Sequence, residues 1–201
     1  MKKTIFKITI VLFISVIAFS GCKKGEDDPG ISFRSRTARF AGEWTLTSMD
    51  KTTIQTSSYY SSTTHETYNG STLTNVFTVE GLSPQTTTRS YVETFNTEKD
   101  GTYKFTKVDD GDTYAEAGNW MWLDENDNMD IENKEAVLLT ATKIIEGDDS
   151  DTYSGKSNLD GNVMLLKRLA NKEMVVLIEY SSTDSDGNTK TINGTYTYTQ
   201  D

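Results

Sequence analysis

The chain has 201 residues, a formal net charge of −10 and 35% hydrophobic residues. That length suits one domain of ordinary size with terminal segments to spare. The acidity argues against nucleic acid as a partner and against broad adhesion to anionic membrane surface. With a single cysteine, Cys22, and a single histidine, His65, the chain has no internal disulfide and little material for zinc chemistry.

Lys2, Lys3 and Lys7 form a basic start, and residues 8–19 form an apolar run of about a dozen residues, the length of a signal-peptide core. A spanning helix needs about 20 apolar residues, so removal is expected rather than permanent insertion. The run closes on Phe19-Ser20-Gly21-Cys22, which resembles the lipobox of bacterial lipoproteins, with phenylalanine where leucine is usual. The resemblance implies cleavage after residue 21 and lipidation of Cys22. It also implies a bacterial cell-envelope location, as an outer-membrane lipoprotein, periplasmic or surface-exposed. Residues 22–40 are then a lipidated tether, polar and acidic at Glu26-Asp27-Asp28. That cluster resembles the surface-export signal of Bacteroidetes lipoproteins and equally suits a plain solvated spacer. The arginine-bearing stretch 31–40 is the one place where a short entry helix is expected.

From residue 41 the sequence reads as strand. Threonine and aromatic residues recur with period two, the pattern of a pleated, half-exposed surface. Trp44 and Leu46 mark a first strand. Residues 52–68 form a Ser/Thr/Tyr-rich run, either a strand pair with an extended hairpin or a loop. Phe77 and Val79 mark a further strand, and residues 91–95 another, turning at Asp100-Gly101 into residues 102–106. Residues 114–123 carry Gly118, Trp120 and Trp122 on one face. Residues 137–145 are more continuously apolar, as in a strand covered on both sides. Residues 146–162 are expected to be irregular, and strands follow at 163–169, 174–180 and 189–199. Eight to ten strands joined mainly by short hairpins predict an all-β domain over residues 41–201. An antiparallel up-and-down β-barrel removes the exposed sheet edges of such a meander, while an open sandwich remains the alternative.

Gly42-Glu43-Trp44 opening the first strand resembles the lipocalin signature. The hairpin from Phe95 through Asp100-Gly101 to Phe105, the second Ala117-Gly118-Asn119-Trp120, and the pair Leu165-Leu166-Lys167-Arg168-Leu169 and Asn171-Lys172-Glu173-Met174-Val175 extend the likeness. Together they resemble the lipocalin-like domains of Bacteroidetes lipoproteins. The resemblance implies that Trp44 is a structural plug at the closed end of a barrel, with Arg168 as a candidate partner. Recurrence of Ala-Gly-x-Trp at residues 41 and 117 leaves open a duplication of half-barrels.

No catalytic signature stands out, and the expectation is a protein that is not an enzyme. Asp124, Asn126, Asn128, Asp130 and Glu135 follow a spacing close to an EF-hand calcium loop. Met129 replaces its glycine, however, and a β-turn selects Asp and Asn for its own reasons. Calcium is therefore a weak expectation, and no other cofactor is expected. Three aromatic pairs, Tyr103/Phe105, Trp120/Trp122 and Tyr196/Tyr198, either pack a filled core or line a cavity. Two functions are carried forward. One is a membrane-tethered binding protein holding a small apolar or amphiphilic ligand. The other is a surface interaction protein whose filled barrel presents the loops to a protein partner.

Overall fold

The computed structural model describes residues 28–29, 32, 34–126, 131, 135–147, 149–152 and 161–201. A short helix, α1 (Arg36–Phe40), precedes eleven described strands: β1 (Gly42–Thr56), β2 (Ser61–Tyr68), β3 (Thr72–Val79), β4 (Gln85–Thr97), β5 (Thr102–Asp109), β6 (Asp112–Trp122), β7 (Ala136–Glu146), β8 (Asp149–Thr152), β9 (Gly161–Leu169), β10 (Glu173–Thr183) and β11 (Thr189–Thr199). Every ladder is antiparallel. Each strand pairs with its chain neighbour, save that β7 holds both β8 and β9, and β1 meets β11 to complete the circuit. The protein is an all-β, closed up-and-down barrel of lipocalin-like form, with ten strands in the ring and β8 as an appendage on β7.

The barrel is not equally wide at its two ends. Residues 42–45 of β1 pair directly with 97–94 of β4. Farther along, the β2–β3 hairpin wedges between the same two strands, joined to β1 from Met49 onward and to β4 up to Ser90. Eight strands therefore close the end that carries α1, and ten frame the other. A second departure lies at β9. Its residues 165–169 pair with β10, whereas 161–165 pair with β7. Among the described residues, β10 beyond Leu177 has β11 as its only ladder partner, so the wall parts on that side of the wide end.

Period-two alternation builds the interior, and bulges reset it. Trp44 and Leu46 point inward, a bulge between Leu46 and Ser48 inserts one residue, and the inward series resumes at Met49. A bulge in the β6–β7 ladder sits at Gly118, where an added Cβ would lie 2.0 Å from the carbonyl oxygen of Thr140. Only glycine admits that approach of one strand to the next. Gly42, by contrast, starts a strand at positive φ, 151°. The two Ala-Gly-x-Trp sites thus occupy unlike positions, one opening β1 and one well inside β6, which speaks against half-barrel duplication.

The narrow end is stoppered by α1. Ser35 caps the helix, its hydroxyl accepting from Ala38 N–H at 3.1 Å. Phe40 is fully buried and meets the rings of Trp120 at 4.8 Å, Trp122 at 5.4 Å and Phe95 at 5.9 Å. Its carbonyl accepts from the Trp44 indole at 2.8 Å and the Thr97 hydroxyl at 2.5 Å. Asp28, also buried, pairs with Arg36 and lies 3.7 Å from Arg39, and it accepts Leu169 N–H at 2.6 Å. The folded unit therefore takes in Asp28 and residues 36–40, which the sequence places in the tether. The reason is charge pairing: Arg36 and Arg39 enter the interior because Asp28 accompanies them, and polar composition disguised a plug as a leash.

One further expectation changes and one open alternative is decided. Residues 149–152, expected to be irregular, form β8. Residues 52–68 resolve into the strand-pair alternative, which puts His65 in β2 opposite Thr52, its ring 3.1 Å from Asp50.

Candidate functional site

The interior above the stopper is hollow. A cavity of about 440 Å³ occupies the wide half of the barrel, within the range of small-molecule sites. Its two sides differ in chemistry. Strands β1, β2, β4 and β5 contribute Lys51, Glu66, Arg89, Glu93, Lys107 and Asp109, with Met49 and Leu73 of β3 among them, whereas β7, β9 and β10 contribute Leu139, Met164, Val176 and Ile178 with one polar side chain, Asn162. Aromatic side chains from β4, β5, β6 and β11 fill the space between.

The charged wall is internally paired. Lys51 bridges Glu66, and Arg89 donates from Nε to Asp109 at 2.5 Å. Lys107 sits over the Tyr114 ring, 5.5 Å from its centre. Deepest of the acids is Glu93, 4% exposed. It accepts the Tyr91 hydroxyl at 2.5 Å on one oxygen and the Tyr198 hydroxyl on the other. Burial raises the Glu93 carboxyl above its ordinary range, while the two tyrosine donors, Lys107 and Lys51 pull the other way. The same burial, with Glu93 adjacent, raises Tyr91, Tyr196 and Tyr198, so these phenols stay neutral and keep their protons to donate. Charge-assisted O–H donors on a desolvated carboxylate make a stiff floor.

The six aromatics expected to line a cavity divide. Phe105, Tyr196 and Tyr198 do line it. Trp120 and Trp122 belong to the stopper, edge-on to one another at 5.7 Å, with their indoles donating to the Glu98 carbonyl at 3.0 Å and the Thr37 hydroxyl at 2.9 Å. Tyr103 is core, packed on Phe95 and donating to Glu116. Strand alternation assigns a face but not a height along the barrel, which is why the sets could not be separated beforehand. Trp44 is buried at the narrow end. Arg168 is not its partner: it stands half-exposed on the outside, 2.8 Å from Glu173.

Among the calcium-spaced residues, Asn128 and Asp130 lie outside the described residues, as does Cys22 with the rest of 1–27. Asn126 and Ile131 exchange backbone hydrogen bonds of 2.8 and 3.1 Å, a hairpin pairing rather than the entry to a helix. Asp124 and Asn126 are both exposed, while Glu135 turns the chain into β7 and contributes to the field at Arg36. Among the described residues, no three carboxylate, histidine or cysteine side chains gather as metal ligands.

Sequence reasoning missed Glu93, Tyr91, Lys107 and Arg89. One signal was there to be read. In Tyr91-Val92-Glu93-Thr94-Phe95 the acid shares the inward face with two aromatics, and an inward charge in a strand is seldom only structural.

Fold and site together define a closed up-and-down barrel with an amphiphilic internal cavity. A scan against protein-family models finds no match to the sequence, and a search of curated proteins likewise finds none.

Proposed function

We propose that this protein is a tethered, extracytoplasmic binding protein that holds a small amphiphilic ligand inside its barrel. The observation that carries the reading is the two-sided cavity, with paired charges and tyrosine hydroxyls on one wall and aliphatic side chains on the other. An amphiphile satisfies both walls at once. A purely apolar ligand would take the water from these ion pairs and give them no polar partner in return. The resemblance to lipocalin-like lipoproteins and the lipobox-like Phe19-Ser20-Gly21-Cys22 support the tether and the envelope location.

The test has two arms. The anionic fluorophore 1-anilinonaphthalene-8-sulfonate is titrated into the native protein and into Val176→Trp, which places an indole in the cavity. Bright, saturable binding that weakens at least tenfold in the variant supports the carrier. Absence of binding, together with no organic molecule in mass spectra of the purified protein, would refute it. Metabolic labelling with radioactive palmitate, lost in Cys22→Ala, tests the tether independently.

A further inference from the structure

At the wide end, two hairpins project beyond the cavity side by side. Because β1 stays in register with β11 as far as Thr56 opposite Thr189, the β1–β2 tip and the β10–β11 tip are held next to each other. Between them runs a trough of about 820 Å³ that shares no lining residue with the cavity.

Both banks are closed by hydrogen bonds within their own turns. At the first tip, Ser57 accepts the N–H groups of Tyr59 and Tyr60 on its hydroxyl, each at 3.2 Å, and donates its own N–H to the Tyr60 carbonyl at 2.9 Å. The backbone polar groups of the turn are used internally, and the side chains are thrown outward. Tyr59 is 94% exposed and Tyr60 53%. At the second tip, Asp184 accepts from the N–H groups of Asp186 and Asn188, each at 2.9 Å, and from the Asn188 amide at 2.8 Å. Gly187, at φ 80°, supplies the left-handed residue the turn requires.

The lining chemistry is selective. Beyond the two tyrosines it consists of Ser, Thr, Gln, Asn, Asp and one lysine, with no Leu, Ile, Val, Met or Phe. A fatty ligand has nothing to bury against. Protein partners usually seat apolar anchors at the centre of an interface, and the trough has no aliphatic pocket for one. The acidic chain disfavours nucleic acid. What remains is a ligand with flat C–H faces to stack on a phenol ring and hydroxyls that both donate and accept around it. That combination is a carbohydrate. Two adjacent aromatic side chains left in water beside a polar trough are the informative exception on a surface.

We propose that the trough between the β1–β2 and β10–β11 tips is a carbohydrate-binding site, with Tyr59 and Tyr60 as stacking platforms and Gln55, Asp186, Asn188 and Lys190 as hydrogen-bonding partners. It is separate from the cavity and does not depend on the carrier reading. Affinity gel electrophoresis of the full-length protein in detergent, through gels containing laminarin, xylan, galactomannan or soluble starch, tests it. Retardation by at least one polysaccharide is expected, reduced tenfold or more in the Tyr59→Ala/Tyr60→Ala double variant and retained in Tyr59→Trp. Both side chains are exposed, so the double variant should keep the native unfolding midpoint, which serves as the control for folding. Migration unaffected by every polysaccharide overturns the proposal, as does retardation that the double variant leaves unchanged. Capture of members of a random peptide array through the two tyrosines, in place of any glycan, overturns it equally.

Discussion

Glu93 is the residue where the barrel core and the cavity wall meet. Its carboxyl is held by two tyrosine hydroxyls, and burial raises it above its ordinary value. The folded state therefore favours the protonated acid. The stability this gives is present at low pH and is lost as pH climbs from the ordinary carboxylate value through the raised one. Glu93→Gln removes that titration. Urea unfolding at about pH 5 and about pH 8 should show the native protein losing stability relative to Glu93→Gln on the alkaline side. A difference of the opposite sign would mean that hydrogen bonds and the lysines outweigh burial. The inward position of Glu93 was readable from the alternation in residues 91–95. Its two partners were not equally so, because Tyr198 lies 105 positions away and meets it only once the barrel closes.

At the scale of elements, α1 and its partners stopper the narrow end. Asp28 carries the opposite charge for two buried arginines and also fixes the end of β9 through Leu169 N–H. Asp28→Ala leaves both guanidinium groups buried without that carboxylate, a change that costs about 3–5 kcal/mol where buried pairs are broken. Thermal or urea unfolding of the variant reads this directly, and a loss under about 1 kcal/mol would assign the clamp a minor part. Most strands were legible because one face is buried and the other is wet, which writes period two into the sequence. The exceptions have physical causes. Strand β8, Asp149–Thr152, is exposed at every position, so no alternation marks it. The wedge of β2–β3 exists because β1 also pairs directly with β4, Gly42 opposite Thr97, and local pattern does not encode so distant a pairing. The plug was hidden because Arg36 and Arg39 read as surface until their acid is found eight and eleven residues earlier.

Among the described residues, the barrel has a stoppered end framed by eight strands and a wider end framed by ten, and the position of Asp28 says which of them a membrane anchor would face. Cys22 and Asp28 are six positions apart in the chain, and an extended chain covers at most about 3.6 Å per residue, roughly 20 Å in all. A lipidated Cys22 would thus moor the barrel stopper-down, with the cavity mouth and the tyrosine tips directed away from the bilayer. Because Cys22 is the only native cysteine, a cysteine added at Tyr59 or at Lys172, in the exposed turn between β9 and β10, gives the lipidated protein one addressable thiol. A fluorophore at Lys172→Cys should be quenched by quencher-bearing lipid headgroups in vesicles, and one at Tyr59→Cys should not; equal quenching would contradict the orientation. Moored in this way, the protein would be a buoy rather than a sieve. It would sample the phase beyond its own membrane, and a ligand in its cavity would arrive from that side and leave by it.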